Sequence, residues 1–208
     1  MALSTTQIAK IKWLVFALAL LPFLRLFAFA VLDKLGANPL EFITRNTGDW
    51  TLYFLCLTLA ITPARKLLQQ PWLLRLRRML GLYAFFYAFL HFMTFFWFDH
   101  FFDLDEMWKD VLKRPFITVG FSAFVCLIPL AATSSNRMIK WLGGKRWQWL
   151  HKLVYLIAPL GILHYYWMKA GKHDLDLPLL FGGIVAALLL IRVWWRFAGA
   201  GATNTSQA

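Results

Sequence analysis

Of the 208 residues, 60% are hydrophobic and only 15% are charged, with a mean hydropathy of +0.58. Soluble domains run at about 45–50% apolar and about 25% charged, so these figures exclude an ordinary soluble domain and a disordered chain and point to a polytopic membrane protein. The net charge of +12, from 22 Lys+Arg against 10 Asp+Glu, suits a nucleic-acid surface only if the basic residues gather on one folded face, and their positions show that they do not.

A membrane helix needs about 20 apolar residues at about 1.5 Å rise each. Six stretches qualify: 11–32, 50–64, 79–98, 116–132, 150–168 and 177–197. The first has Lys10 and Lys12 at its start and Ala28-Phe29-Ala30 near its end, like a signal sequence. Its apolar run is too long for one, and it reads as an uncleaved span. The second and fourth are short. Between the third and fourth, residues 99–114 combine acids with Phe101, Phe102, Leu104, Met107 and Trp108, which predicts an amphipathic segment at the interface. No loop is long enough for a folded domain. Residues 199–208 are small and polar and read as a flexible tail. The expected fold is a single all-α domain, residues 1–208, built as a six-transmembrane-helix bundle.

The charges give this bundle an orientation. The N-terminus, the loops after spans two and four, and the C-terminal end hold 14 basic residues and no acid. The alternate segments hold the other 8 basic residues and all 10 acids, a balance of −2. Cytoplasmic segments collect Lys and Arg, so both termini are expected in the cytoplasm. The positive charge is accounted for by topology, without nucleic acid.

Cys56 and Cys126 each lie in an apolar run and read as core residues. There is no CxxCH for covalent haem, no CxxC, no GxGxxG and no Walker sequence. Ionisable groups inside a span are costly and mark function. Three of the five histidines qualify: His91 in span three, and His151 and His164 in span five. His100 and His173 stand in acidic loops and are expected to be solvated. Spans three and five run in the same direction. His91 lies 12 residues past Met79 and His164 lies 14 past Leu150, so the two are expected at one depth, with His151 about 20 Å away along its helix. Neutral imidazoles from two helices at one depth, within aromatic surroundings, are what an axially ligated haem requires. A haem-free transporter using the same histidines is the alternative. The His151 level has no second histidine. Arg77, fourteen residues before His91, faces within about 40° of it on an ideal helix and is a candidate ligand or a partner for haem propionates. His151 and His164 are about 140° apart on an ideal helix, with Pro159 between them able to rewind it.

Thr133–Leu156 (TSSNRMIKWLGGKRWQWLHKLVYL), Arg77–His91 (RRMLGLYAFFYAFLH), Lys113–Phe121 (KRPFITVGF), Thr62–Leu67 (TPARKL) and Gly36–Trp50 (GANPLEFITRNTGDW) together resemble the MsrQ (YedZ) family, haem-binding membrane subunits of the bacterial methionine-sulfoxide reductase system. The wider group is the ferric-reductase-like transmembrane superfamily, in which two histidines on span three and two on span five hold two stacked b haems. Here Arg77 replaces the first histidine of span three, so the resemblance carries over the outer pair His91/His164 and leaves the inner site with His151. It implies haem b, one or two, and an electron-transfer role in the bacterial inner membrane. Electrons would come from the quinone pool or a cytosolic flavin reductase and pass to a periplasmic molybdopterin subunit, MsrP, which reduces methionine sulfoxide in envelope proteins. By resemblance alone it also implies FMN, whose phosphate Arg75, Arg78, Lys145 or Arg146 could hold. No residue reads as a sulfoxide-reducing nucleophile, so that chemistry is expected on the partner. A stand-alone ferric reductase stays open as a rival.

Overall fold

The computed structural model describes residues 3–171 and 173–204, with side chains through Ala198. Helix α1 (Thr5–Val31) opens on a reciprocal cap in which the Ser4 hydroxyl accepts from the Gln7 N–H and the Gln7 side chain accepts from the Ser4 N–H. Helix α2 (Pro39–Leu68) is capped by Asn38, starts on proline and ends on Gln69 in the left-handed region, φ 54°. A 3-10 turn (Pro71–Leu73) leads into α3 (Leu74–Met93), which runs on as a π-helical turn (Thr94–Asp99). Then follow α4 (Leu104–Lys113), α5 (Pro115–Ala132), and two short helices, α6 (Asn136–Leu142) and α7 (Gly144–Leu150). A 3-10 turn (His151–Leu153) precedes α8 (Val154–Ala170), and α9 (Asp176–Asn204) closes the described chain. Among the described residues there is no strand, and the fold is all-α.

Five helical runs are long and apolar enough to cross a membrane: Thr5–Val31, Pro39–Leu68, Pro71–Asp99, Pro115–Ala132 and Asp176–Ala198. The sixth expected span, α8, has 17 helical residues. With its leading 3-10 turn it reaches about 30 Å, the thickness of the hydrocarbon core. The second span departs from expectation. It was expected over 50–64, but α2 begins at Pro39, which puts Glu41, Arg45 and Asp49 on the same helix. A search for apolar runs misses polar first turns that an Asn-Pro start makes helical. Helix α9 continues to Asn204, into the expected tail of 199–208, and residues 205–208 of that tail lie outside the described residues.

Helices α2 and α3 form the centre, with Phe54, Leu59, Tyr87 and Ile157 (from α8) almost fully buried. Helix α1 lies on the outside and is tied to α3 by two tyrosines. Tyr83 donates its hydroxyl to the Phe16 carbonyl at 2.8 Å. Pro22 has no N–H and weakens the α1 ladder. One turn around it, the Tyr87 hydroxyl donates to the Ala19 carbonyl (2.8 Å) and accepts from the Phe23 N–H (3.2 Å), standing between two groups that would otherwise bond each other. Helix α9 is joined in the same manner. Pro63 leaves the Leu59 carbonyl without its helical donor, and the Arg192 guanidinium donates to that carbonyl and to the Tyr155 hydroxyl. A polar group inside a membrane bundle thus satisfies a backbone group that proline has freed.

Tyr87→Phe is expected to lower stability by about 1 kcal/mol and to make α1 the first segment cut by protease in detergent. An unchanged thermal midpoint and cleavage pattern would show that the inserted hydroxyl holds nothing.

Candidate cofactor site

At the end of the bundle where the acids gather, α2, α3, α5 and α8 enclose a cavity of about 590 Å³, within the roughly 300–1,000 Å³ range of cofactor sites. Its walls are apolar and aromatic, including Leu52, Leu55, Phe92, Phe121, Phe124 and Ile157, and its rim is polar, with Arg45, Asp49, Tyr165 and Lys169. Lys169 is only 6% exposed and is ion-paired with Asp174. His91 from α3 and His164 from α8 face each other across this space, with ring centroids 6.1 Å apart and planes crossed at 78°. Each imidazole donates its Nδ1–H to a helix carbonyl, His91 to Thr44 at 2.9 Å and His164 to Phe116 at 2.7 Å. A carbonyl can only accept, so the proton is on Nδ1 and Nε2 keeps its lone pair.

This geometry fits a metal held between two imidazoles. Two metal–nitrogen bonds of about 2.0 Å, plus about 1.2 Å from each Nε2 to its ring centre, place the ring centres about 6.4 Å apart. A hydrogen-bond acceptor on the far nitrogen is the usual way to fix such a ligand. The largely apolar, aromatic space around the pair suits a macrocycle. His91 and His164 would hold the haem iron here.

At the opposite end lies a second cavity of about 440 Å³. Arg77, Arg78, Ser134, Trp147, His151 and Lys152 line it, and it shares Leu55 and Leu127 with the first. The His151–Leu153 turn, wound at about 120° per residue, reduces the offset between His151 and His164 from the ideal of about 140° to about 80°. The surroundings of His151 differ from those of the other two. Trp147 stacks on the ring at 4.0 Å, and Nε2 lies 3.1 Å from the Thr133 hydroxyl. That hydroxyl is also 2.7 Å from the Pro129 carbonyl and donates there, so it accepts from His151. The proton of His151 is therefore on Nε2 and the free nitrogen is Nδ1. No other histidine lines this cavity, and a group clamped between two imidazoles does not fit it. Arg78 donates to the Asn136 side chain at 2.6 Å. Arg75 is exposed and lines neither cavity.

Two other sequence expectations change. His100 is not solvated: its side chain is 9% exposed, pairs with Asp110 at 3.2 Å and meets the Phe95 ring at 4.5 Å. His173 is exposed, as expected. The carbonyls of Thr44 and Phe116 and the rim residues Asp49 and Lys169 are not legible as site residues in the sequence. Backbone acceptors carry no sequence signal, and Asp49 and Lys169 stood at the edges of apolar windows.

Residues 47–162 match the family described as ferric reductase like transmembrane component. The chain is 72% identical over 194 residues to the protein-methionine-sulfoxide reductase heme-binding subunit MsrQ of Herminiimonas arsenicoxydans, covering 93% of this chain and 89% of that one. Proteins of the same name are 56% identical in Ralstonia nicotianae, with the same coverage, and 54% identical in Bordetella pertussis, covering 95% of this chain and 97% of that one. No solved structure matches.

In haem-free protein labelled with ¹⁵N-histidine, His91 and His164 are expected as Nδ1–H tautomers and His151 as Nε2–H. Thr133→Val should release the bias at His151 alone. One tautomer common to all three rings would overturn the assignment.

Proposed function

The chain belongs to the MsrQ family of ferric-reductase-like transmembrane proteins, and from that membership we propose that it is a b-type cytochrome of the bacterial inner membrane, carrying electrons outward to a methionine-sulfoxide-reducing partner. The observation that carries this reading is the crossed His91–His164 pair, each ring tied through Nδ1 to a helix carbonyl within an apolar cavity.

Haem bound there supplies a one-electron iron couple. His91 and His164 would bind and orient it, and Phe92, Phe121 and Phe124 in the cavity wall would help to exclude water. Arg45, ion-paired with Glu41, and Lys169, ion-paired with Asp174, stand at the polar rim, where they would face its carboxylates. The basic end receives electrons, from the quinone pool or a cytosolic flavin reductase. A second haem in that cavity would have His151 as its one imidazole, with Arg77 and Arg78 facing its propionates. A flavin phosphate would use the same two arginines. The two cavities meet at Leu55 and Leu127, so an electron moving between them crosses a short apolar wall.

The acidic end is the docking face for the periplasmic molybdopterin subunit, MsrP. Asp103 caps α4 by accepting from the Asp105 and Glu106 N–H groups. Asp105 and Glu106 are themselves exposed beside Phe102 (51% exposed) and Trp108 (51%). An apolar centre with an acidic border suits a basic partner surface. Substrate chemistry belongs to that partner.

Purified protein is expected to show b-type bands on reduction, and His91→Ala or His164→Ala should remove most of the haem. Full haem retention in both variants would overturn the ligand assignment. Haem per polypeptide in the His151 and Arg77 variants measures what the basic end holds. Asp105→Asn with Glu106→Gln, which spares the Asp103 cap, should slow association with the partner roughly tenfold at low salt, and added salt should erase the difference. Equal rates at all salt concentrations would exclude this face.

A further inference from the structure

The two bonds that orient His91 and His164 share a feature that the haem reading does not require. The accepting carbonyls are those of Thr44 and Phe116, and the residue four positions later is glycine in both helices, Gly48 on α2 and Gly120 on α5. In an α-helix the carbonyl of residue i already accepts from the N–H of residue i+4. A second donor must use its other lone pair and approach from the side, over the surface where the i+4 side chain emerges. With glycine at i+4 that approach is open. A Cβ on Gly120 would lie 2.6 Å from Nδ1 and 2.8 Å from Cε1 of His164. A Cβ on Gly48 would lie 3.2 Å from Nδ1 and from Cε1 of His91. In both cases the three nearest atoms belong to that one imidazole. Glycine inside a helix is less stable than alanine by about 1 kcal/mol, and neither glycine is at a helix end or a positive φ.

We propose that Gly48 and Gly120 are positioning residues for the two axial imidazoles. Each opens one helix carbonyl to a histidine Nδ1–H and so fixes the ring's tautomer, its rotation and the 78° crossing of the pair. The proposal rests on the haem reading and deepens it. Helices α2 and α5 bear no ligand, yet they set the ligand planes and the basicity of the ligating nitrogens.

Gly120→Ala, Gly48→Ala and, as a control, Gly183→Ala, whose Cβ would meet nothing within 4 Å, are compared in the full-length protein. The readouts are haem per polypeptide, EPR and midpoint potential. Wild type is expected to give the highly anisotropic low-spin EPR signal of crossed imidazole planes. Gly120→Ala, with the tighter clash, should keep about a tenth or less of the haem. Gly48→Ala should keep haem with a shifted EPR signal and potential, and Gly183→Ala should match wild type. A double-mutant cycle separates positioning from general packing. The extra methyl should lower the thermal midpoint when His164 is present and have no effect in the His164→Ala background. A penalty that persists undiminished there, or a Gly120→Ala protein with wild-type haem content, EPR and potential, overturns the inference. If His91→Ala and His164→Ala lose haem while both glycine variants behave as wild type, the haem reading stands and only the inference falls. A wild-type protein without haem removes both.

Discussion

An imidazole in an apolar interior must place its N–H on an acceptor, because an unpaired donor there costs several kcal/mol. Inside a helical bundle almost every backbone carbonyl is already engaged, and few side chains are suitable. His91 and His164 resolve this by each taking the second lone pair of a carbonyl on a neighbouring helix. That choice constrains the packing around it. Helix α2 must approach α3, and α5 must approach α8, closely enough for a ring nitrogen to reach backbone. The aromatic walls then fill what remains, with Phe92 and Phe124 stacked at 4.7 Å and Phe85 lying parallel to Phe124 at 6.0 Å.

Proline shapes the bundle in a related way. Pro22 and Pro63 each remove a helical donor, and at each place a side chain from another helix enters: the Tyr87 hydroxyl in α1 and the Arg192 guanidinium at α2. In hydrocarbon a freed backbone group cannot turn to water, so a break in one helix becomes a bond to the next. The peripheral helices α1 and α9 are joined to the centre through these bonds, since packing alone gives little preference for protein over lipid.

Much of this could be read in the sequence. Apolar runs marked the long helices because length and hydropathy are local properties, and equal distances from the starts of two parallel runs placed His91 and His164 within reach of each other. Charge placement distinguished the two ends. What could not be read depends on partners far away in the chain. The early start of α2 follows from the Asn38 cap and Pro39, whose polar first turns no hydropathy window detects, so Asp49 was missed as a residue on a span. His100 appeared solvated because it stands beside Asp99 in an acid-bearing loop, whereas its actual neighbours are Phe95 and Asp110. Gly48 and Gly120 carry no sequence signal of their own, because what distinguishes them is the imidazole each faces across a helix contact.

The two ends of the bundle also differ in the nitrogen they leave free, and this bears on how they can work. At the acidic end both Nδ1 atoms are engaged by carbonyls, which cannot rotate away and cannot donate, so the Nε2 atoms are permanently presented. At the basic end the partner of His151 is a threonine hydroxyl, a group that rotates about one bond, and the ring is covered by Trp147 at 4.0 Å. The first arrangement suits a cofactor held for the life of the protein. The second suits a histidine whose hydrogen bond can be exchanged when something enters the cavity between it and Arg77, a difference that follows from the acceptor chemistry at the two levels.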